Sequence, residues 1–267
     1  MAKTFEYNAT VVSTLMLTDY LMVMSVRPDA TMGGFVPGQY ATIGLTGDAP
    51  RAQLSKPDKQ PVDPAQLIRR PYSISSNATS DEIEFYLALV EDGALTPRLF
   101  ALQTGDRMYM APKIVGKFTL EEVADHKNLI LLSTGTGLAP YMSMLRTGVD
   151  WSKNRKIIVA HGVRHEEDLG YREELEALEK AQSNFFYLPV LSRQSSSWKG
   201  KTGYIQNVLF EKETLDQIGL SLSPEKDEVF ICGNPSMIQA AIETLQSKGF
   251  AVIKGRNPGQ IHIEEYW

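Results

Sequence analysis

The sequence is poor in the residues that build metal and disulfide chemistry: it has one cysteine, Cys232, and four histidines among 267 residues. A lone cysteine cannot close an internal disulfide and cannot ligate an iron–sulfur cluster. His161 and His165 are four apart but straddle the Gly-Val-Arg that leaves a strand, so they do not share a helical face that could hold a metal. No apolar run approaches the roughly 20 residues that span a bilayer, so membrane insertion is not expected. Positive charge is not in surplus either. The net charge is −5 and both halves are slightly acidic, which argues against nucleic acid as the main partner. The stretch MAKTFEYNATVV lacks the charged-then-apolar pattern of an export signal. With the single thiol, this places the expected location in a reducing, cytoplasmic compartment. There is no Gly-x-Ser-x-Gly elbow, internal repeat or low-complexity segment.

What is present divides into two rhythms. Up to about Glu122, apolar residues alternate: Phe5, Tyr7, Ala9, Val11, and again Tyr20, Met22, Met24, Val26. "VPGQYATIGL" turns at Pro37-Gly38 into another strand, and "IEFYLALV" and "DRMYMAP" supply more. About six short strands with turns between them suggest a barrel or a sandwich. One helix fits "LTPRLFAL", with Thr96 as N-cap and Pro97 at the first helical position. Thr46 to Leu67, rich in Pro, Lys, Asp and Gln, reads as an exposed loop to which no role is assigned. From Val123 the pattern becomes strand, turn, helix: "NLILLS", "RKIIVAHG", "FFYLPVLSR" and "DEVFICG" each lead towards a helical segment. Apolar strands alternating with amphipathic helices indicate a parallel sheet covered on both faces. Two domains are expected, residues 1–122 and residues 123–267.

Ligands of open parallel sheets sit beyond the carboxyl ends of the strands, which directs attention to the strand exits. "STGTGLAP", Ser133 to Pro140, is a glycine-rich turn opening a helix. It suits a phosphate but is neither a Walker loop nor a full Gly-x-Gly-x-x-Gly, and a bare tight turn is the plainer reading. At the next exits Ser192 and Arg193 of "LSRQ" lean towards a 2′-phosphate, with Lys199 and Lys201 close by, against a solvated surface arginine. Tyr204 of "TGYI" is either an adenine-stacking ring or a half-buried helix tyrosine. Cys232 and Gly233 of "ICGNP" end another strand, where a small thiol is most often core filler. "RRPYSISS", Arg69 to Ser76, puts a cationic pair, a proline, an aromatic ring and three serines on one extended segment, a set that points to a flavin. "HIEEYW" carries two large aromatics that either dock on something flat or fray.

Arg-x-Tyr-Ser at Arg70–Ser73, Gly-x-x-Thr at Gly93–Thr96, "GTGLAP", "VLSR", "ICGNP" and "EEYW" occur in one order over essentially the whole chain. That order resembles the plant-type ferredoxin–NADP reductases, and among them the bacterial branch, in which a Trp follows the final Tyr. The resemblance implies an N-terminal antiparallel β-barrel that binds FAD non-covalently and a C-terminal α/β parallel-sheet domain that binds NADP(H). It implies a cytoplasmic, monomeric flavoprotein oxidoreductase that moves hydride between NADP(H) and FAD and single electrons to ferredoxin or flavodoxin.

Position by position, the resemblance assigns Arg70 and the neighbouring Pro71 to the FAD pyrophosphate shelf. Tyr72 and Tyr266 become the rings on the two flavin faces, Ser73 a hydroxyl near flavin N5, and Trp267 the ring on FAD adenine. Tyr86, Leu87, Ala88 and Leu89 would line the ribityl and adenosine parts. Ala94, Leu95 and Thr96 would meet the pyrophosphate, with the "TPRLFAL" helix dipole behind them. Thr136, flanked by Gly135 and Gly137, would lie between flavin and nicotinamide. Arg164, Ser192, Arg193, Lys201, Tyr204, Cys232 and Gly233 would hold NADP. Ser73, Cys232, Glu264 and Tyr266 would surround the reacting atoms. Lys113 and Lys117 are candidates for a basic patch facing an acidic carrier. One departure stands out: bacterial relatives often carry Arg where this chain has Tyr204, whereas Tyr204-Ile205-Gln206 matches the plastid type, which leaves one phosphate-binding cation open, with Lys199 and Lys201 as the candidates to substitute. Competing readings are a flavin reductase or reductase component serving an oxygenase, an electron-transfer subunit of a larger complex, and a non-enzymatic nucleotide-binding redox sensor.

Overall fold

The computed structural model describes residues 6–31, 33–193, 197–255 and 257–265. Within them the chain forms two compact units: residues 1–119 with 139–148, and residues 120–138 with 149–267. Against a single cut after residue 122, the segment Ala139–Gly148 thus packs with the first unit.

The first unit contains β1 (Ala9–Thr18), β2 (Leu21–Pro28), β3 (Tyr40–Thr46), β4 (Leu67–Ser73), β5 (Ile83–Ala88), the short helix α1 (Thr96–Leu99) and β6 (Arg107–Met110). The strand order is β4-β3-β6-β1-β2-β5, with every pairing antiparallel. The two ends of that order meet. Ile74 bridges Phe85, and the Ser75 amide donates to the Glu84 carbonyl at 2.9 Å, so the sheet closes into a barrel. The period of two explains the interior: Ala9 and Val11, Met22, Met24 and Val26, Ala41, Ile43 and Leu45, and Ile83, Phe85 and Leu87 all point into one core. Serine side chains complete the seam. Ser75 Oγ donates to Glu84, Ser76 Oγ accepts from the Glu84 amide at 3.1 Å, and Arg146 donates to both the Ser75 carbonyl (2.8 Å) and Glu84 Oε1 (2.7 Å).

The second unit holds β7 (Asn128–Thr134), β8 (Ile157–Val163), α3 (Arg172–Ala181), β9 (Phe185–Leu191), β10 (Lys201–Thr202), α4 (Ile205–Phe210), α5 (Lys212–Ile218), β11 (Asp227–Gly233), α6 (Pro235–Gln246) and β12 (Ile261–Glu265). A 3-10 turn, Gly135–Leu138, follows β7 and leads into α2 (Ala139–Ser143) of the first unit and then a π turn, Met144–Gly148. The sheet order is β10-β9-β8-β7-β11-β12, all parallel. All seven residues of β8 are buried, as expected for a strand covered on both faces. The chain steps outward from β7 through β8 and β9 to β10, then returns to the other side of β7 for β11. That reversal puts the switch point, where open parallel sheets take their ligands, between the exits of β7 and β11.

Candidate functional site

In the first unit the "RRPYSISS" segment is strand β4 and its exit. Its exposed guanidinium, Arg70, makes no ion pair among the described residues and donates only to the Arg69 carbonyl, at 2.7 Å. Pro71 is also exposed; β4 has a single full-length neighbour, β3, so a missing amide is tolerated there. Tyr72 is half-buried against the barrel core, and burial pushes its phenol well above the ordinary value, only partly offset by the Arg70 charge. Ser73 is buried one place further along. The serines beyond it are tied to Glu84, so Ser75 and Ser76 serve the barrel seam rather than a cofactor ring.

Along β5 the alternation separates the expected lining residues. Leu87 lies in the barrel core, so its side chain cannot face a ligand, while Tyr86 and Ala88 are on the opposite face and Leu89 is buried beyond the strand. Leu95 likewise points into the core. The turn that follows has a different asset. The amides of Ala94, Leu95 and Thr96 donate to nothing among the described residues. Successive amides without an acceptor are rare in a partly buried turn and make a natural anion cradle. Thr96 is not the N-cap: Leu95 occupies that place, and Thr96 Oγ1 accepts from the Val90 amide at 2.9 Å, closing the loop around Gly93. With only four residues, α1 adds little dipole, so the cradle rests on the amides themselves.

In the second unit the exits of β7 and β11 approach backbone to backbone. A Cβ on Gly137 would lie 2.4 Å from the Cys232 carbonyl oxygen, and one on Gly233 2.2 Å from Thr134 Oγ1. These glycines serve that close approach, while Gly135, at φ +53°, makes the turn itself and leaves Thr136 half-exposed at its apex. The pairing register sets buried Cys232 beside Ser133 on one side and half-buried Glu264 on the other. The amide of Asn234 donates to Thr134 Oγ1 at 2.8 Å, and its side chain caps α6 by accepting from Ser236 at 2.9 Å.

The next exits carry cations. Arg164 follows β8 and Arg193 follows β9; they are bonded through backbone, Arg193 amide to Arg164 carbonyl at 3.0 Å, and both side chains are exposed without an ion pair among the described residues. Ser192 is exposed beside them, with its hydroxyl donating to the Val163 carbonyl at 3.2 Å. Lys201, on β10, pairs at 3.4 Å with the largely exposed Glu213, a contact too solvated to hold it firmly. Tyr204 is 67% exposed at the start of α4, a position that excludes the half-buried reading. Arg164, Ser192, Arg193, Lys201 and Tyr204 are thus gathered at the ends of β8–β10. Tyr266 and Trp267 lie outside the described residues.

Two contributors escaped the sequence reading. His161 is fully buried on β8 and donates Nε2–H to the Gly135 carbonyl at 3.0 Å, anchoring the glycine turn; burial pushes its pKa down to about 4, with the Gly135 bond opposing. Trp198, in the segment between β9 and β10, packs with Val163, Leu169 and Leu191, donates to the Lys201 carbonyl at 2.9 Å and lies under Arg172 at 5.3 Å. A tryptophan amid the polar run "SSSWKGK" was the available signal, since so large a ring is seldom left in water.

A closed antiparallel barrel with an anion-ready turn, followed by a parallel sheet with cationic exits, is suited to binding nucleotides in each of two units, and the chain's relatives place it among the NADP-dependent oxidoreductases. Residues 131–243 match the oxidoreductase NAD-binding domain family. The chain is 31% identical over 251 residues to the flavodoxin/ferredoxin–NADP reductase of Shigella flexneri, covering 94% of each, and 30% identical over 240 residues to the ferredoxin–NADP reductase of Azotobacter vinelandii, covering 86% of each. The crystal structure of a ferredoxin NADP+ reductase from Neisseria gonorrhoeae with bound FAD and NADP superposes with a TM-score of 0.83 at 25% identity, covering 97% of each chain. The chain belongs to the flavodoxin/ferredoxin–NADP reductase family.

Proposed function

We propose that this chain exchanges a hydride between NADP(H) and non-covalently bound FAD, and single electrons with ferredoxin or flavodoxin. The observation that carries the reading is that one chain bears a barrel with a turn of amides that have no acceptor among the described residues and an exposed cation and a phenol on strand β4, and also a separate set of strand exits whose arginines have no ion pair among the described residues. FAD, when bound, supplies the capacity to take two electrons together and pass them on one at a time. Arg70 and the amides of Ala94–Thr96 would hold its pyrophosphate, a task suited to a guanidinium fork and convergent N–H groups. Tyr72 would cover one ring face with an uncharged phenol, which burial keeps further still from ionising. Arg164, Arg193 and Lys201 would take the 2′-phosphate of NADP, with Tyr204 under adenine. Ser73, Cys232 and Glu264 would surround the reacting atoms, and Thr136 would sit beside them. The assignments of Tyr266 and Trp267 rest on the resemblance alone. A reducing cytoplasmic setting is supported by the one cysteine being a buried free thiol, and the monomer rests on the resemblance alone.

The test is spectroscopic. Purified protein should be yellow, and anaerobic NADPH should bleach the flavin band at lower concentration than NADH. Adding ferredoxin, flavodoxin and free flavin in turn should reoxidise it fastest with a protein carrier. Colourless protein that takes up no FAD sinks the reading, and free flavin as the best acceptor replaces the carrier assignment.

No helix among the described residues is long and apolar enough to cross a membrane.

A further inference from the structure

The segment between β3 and β4 runs for 20 residues, Gly47 to Gln66, without regular structure. Connections that long inside a compact unit are uncommon and usually have work to do. This one is fixed at its centre by a single carboxylate shared between two guanidinium groups. Arg98 of α1, 3% exposed, grips Asp58 with both Nη atoms, at 3.0 and 2.7 Å, and Arg51 reaches Asp58 at 2.6 Å. The Arg98 bonds hold the Asp58 carboxyl below the usual range, so it stays charged.

The same two arginines hold the turn in front of α1. Arg98 donates to the Ala94 carbonyl at 2.6 Å, and Arg51 donates to those of Gly93 (3.1 Å) and Glu91 (3.3 Å). Carbonyls of the turn are therefore taken up by cations on one side, while the amides of Ala94, Leu95 and Thr96 have no acceptor among the described residues. Two positive charges against one negative also leave the cluster net cationic directly behind those amides. Backbone bonds from the loop, Ala52 to the Pro97 carbonyl and Lys56 to the Glu91 carbonyl, both 2.8 Å, extend the seam.

We propose that the 47–66 loop is a strap that shapes the anion-binding turn, with Asp58 as its positioning residue: through Arg51 and Arg98 it orients the peptide groups that receive the FAD pyrophosphate. The proposal rests on the FAD assignment above. Asp58 itself touches no cofactor in this scheme; it acts through the two arginines.

The test compares wild type with Asp58→Asn, which keeps the shape and removes the charge, and Asp58→Glu, which keeps the charge. Apoprotein of each is titrated with FAD and, separately, with riboflavin, which has no phosphate. Loss of a charge-assisted bond of this kind corresponds to about tenfold or more in affinity, expected for FAD in Asp58→Asn but not for riboflavin, with partial rescue in Asp58→Glu. Because coupling is reciprocal, FAD should also slow tryptic cleavage after exposed Lys59 in wild type and do so less in Asp58→Asn. Unchanged FAD affinity in Asp58→Asn, equal losses for FAD and riboflavin, or no protection of Lys59 by FAD overturns the strap and leaves the FAD assignment standing. Wild-type apoprotein that takes up no FAD overturns both.

Discussion

His161 shows how a single buried side chain links the turn chemistry to stability. Its Nε2–H is committed to the Gly135 carbonyl and its ring is fully buried, so the folded state holds it neutral down to about pH 4. In the unfolded chain the imidazole takes up a proton near its ordinary 6.5. Between those values the unfolded state binds the extra proton, so stability is complete above pH 6.5 and declines as pH falls towards 4. The shift amounts to about 3 kcal/mol over that window. His161→Gln should be less stable at pH 7.5 but lose less between pH 7.5 and 4.5, as read by urea unfolding at each pH. An equal loss in variant and wild type would show that His161 is not the titrating group. At this scale the sequence displayed residue types but not their commitments. Nothing in "RRPYSISS" distinguishes Ser73 from Ser75 and Ser76, whose hydroxyls are bound to Glu84 across the seam where the two end strands of the sheet order meet. Likewise Gly137 and Gly233 were legible as glycines of a turn, whereas their reason, two strand exits in backbone contact, is tertiary.

Elements were more legible than their ends. The period of two in β2, β3 and β5 and the apolar runs of β7, β8 and β11 follow from which faces are covered, and local sequence carries that directly. Two strands were missed: two-residue β10 is too short to show a period, and β12 lies at the sheet edge, with β11 as its one strand neighbour and only an isolated bridge from Ile261 to Val252 on the other side. The cap of α1 was misplaced because Thr96 turns back to Val90 instead of capping, a choice made by the loop around Gly93. Trp198, just before β10, belongs here too. Trp198 fills an apolar pocket between Val163, Leu169 and Leu191 and bonds to the Lys201 carbonyl, so it fixes the chain on which Arg193 and Lys201 are presented. Trp198→Ala should cost about 3 kcal/mol or more in stability. It should also raise the KM for NADPH several-fold with little change in FAD affinity. Trp198→Phe, which keeps most of the ring and loses the N–H, should recover most of the stability. If NADPH and FAD binding fall together, the effect is general loosening and not presentation of the cations.

For the whole molecule, a net charge of −5 means that an acidic electron carrier is repelled on average and must be drawn in by a local patch. On the proposed function, Lys113 and Lys117 of the first unit are the candidates for it. Lys113 and Lys117 are exposed on either side of exposed Val115, whose backbone exchanges hydrogen bonds with Tyr40 at 2.9 and 3.1 Å, and Tyr40 is the register partner of Ser73. Exposed Arg69 and Arg70 lie on the same strand as Ser73. Attraction between such solvent-exposed charges is screened over about 10 Å at 0.1 M salt. On the proposed function, kcat/KM for ferredoxin or flavodoxin should therefore fall by about tenfold between roughly 50 and 300 mM salt, mainly through association. Replacing both lysines, Lys113→Glu with Lys117→Glu, should lower the low-salt value and flatten the salt dependence, because part of the charge that salt screens has been removed. NADPH carries its own charges and, on the proposed function, answers to a separate set, Arg164, Arg193 and Lys201, so the salt dependence of its KM should not change in the double variant. Steady-state turnover across a salt series, run with carrier limiting and then with NADPH limiting, separates the two. An unaltered slope with carrier limiting would place the docking surface elsewhere on the molecule.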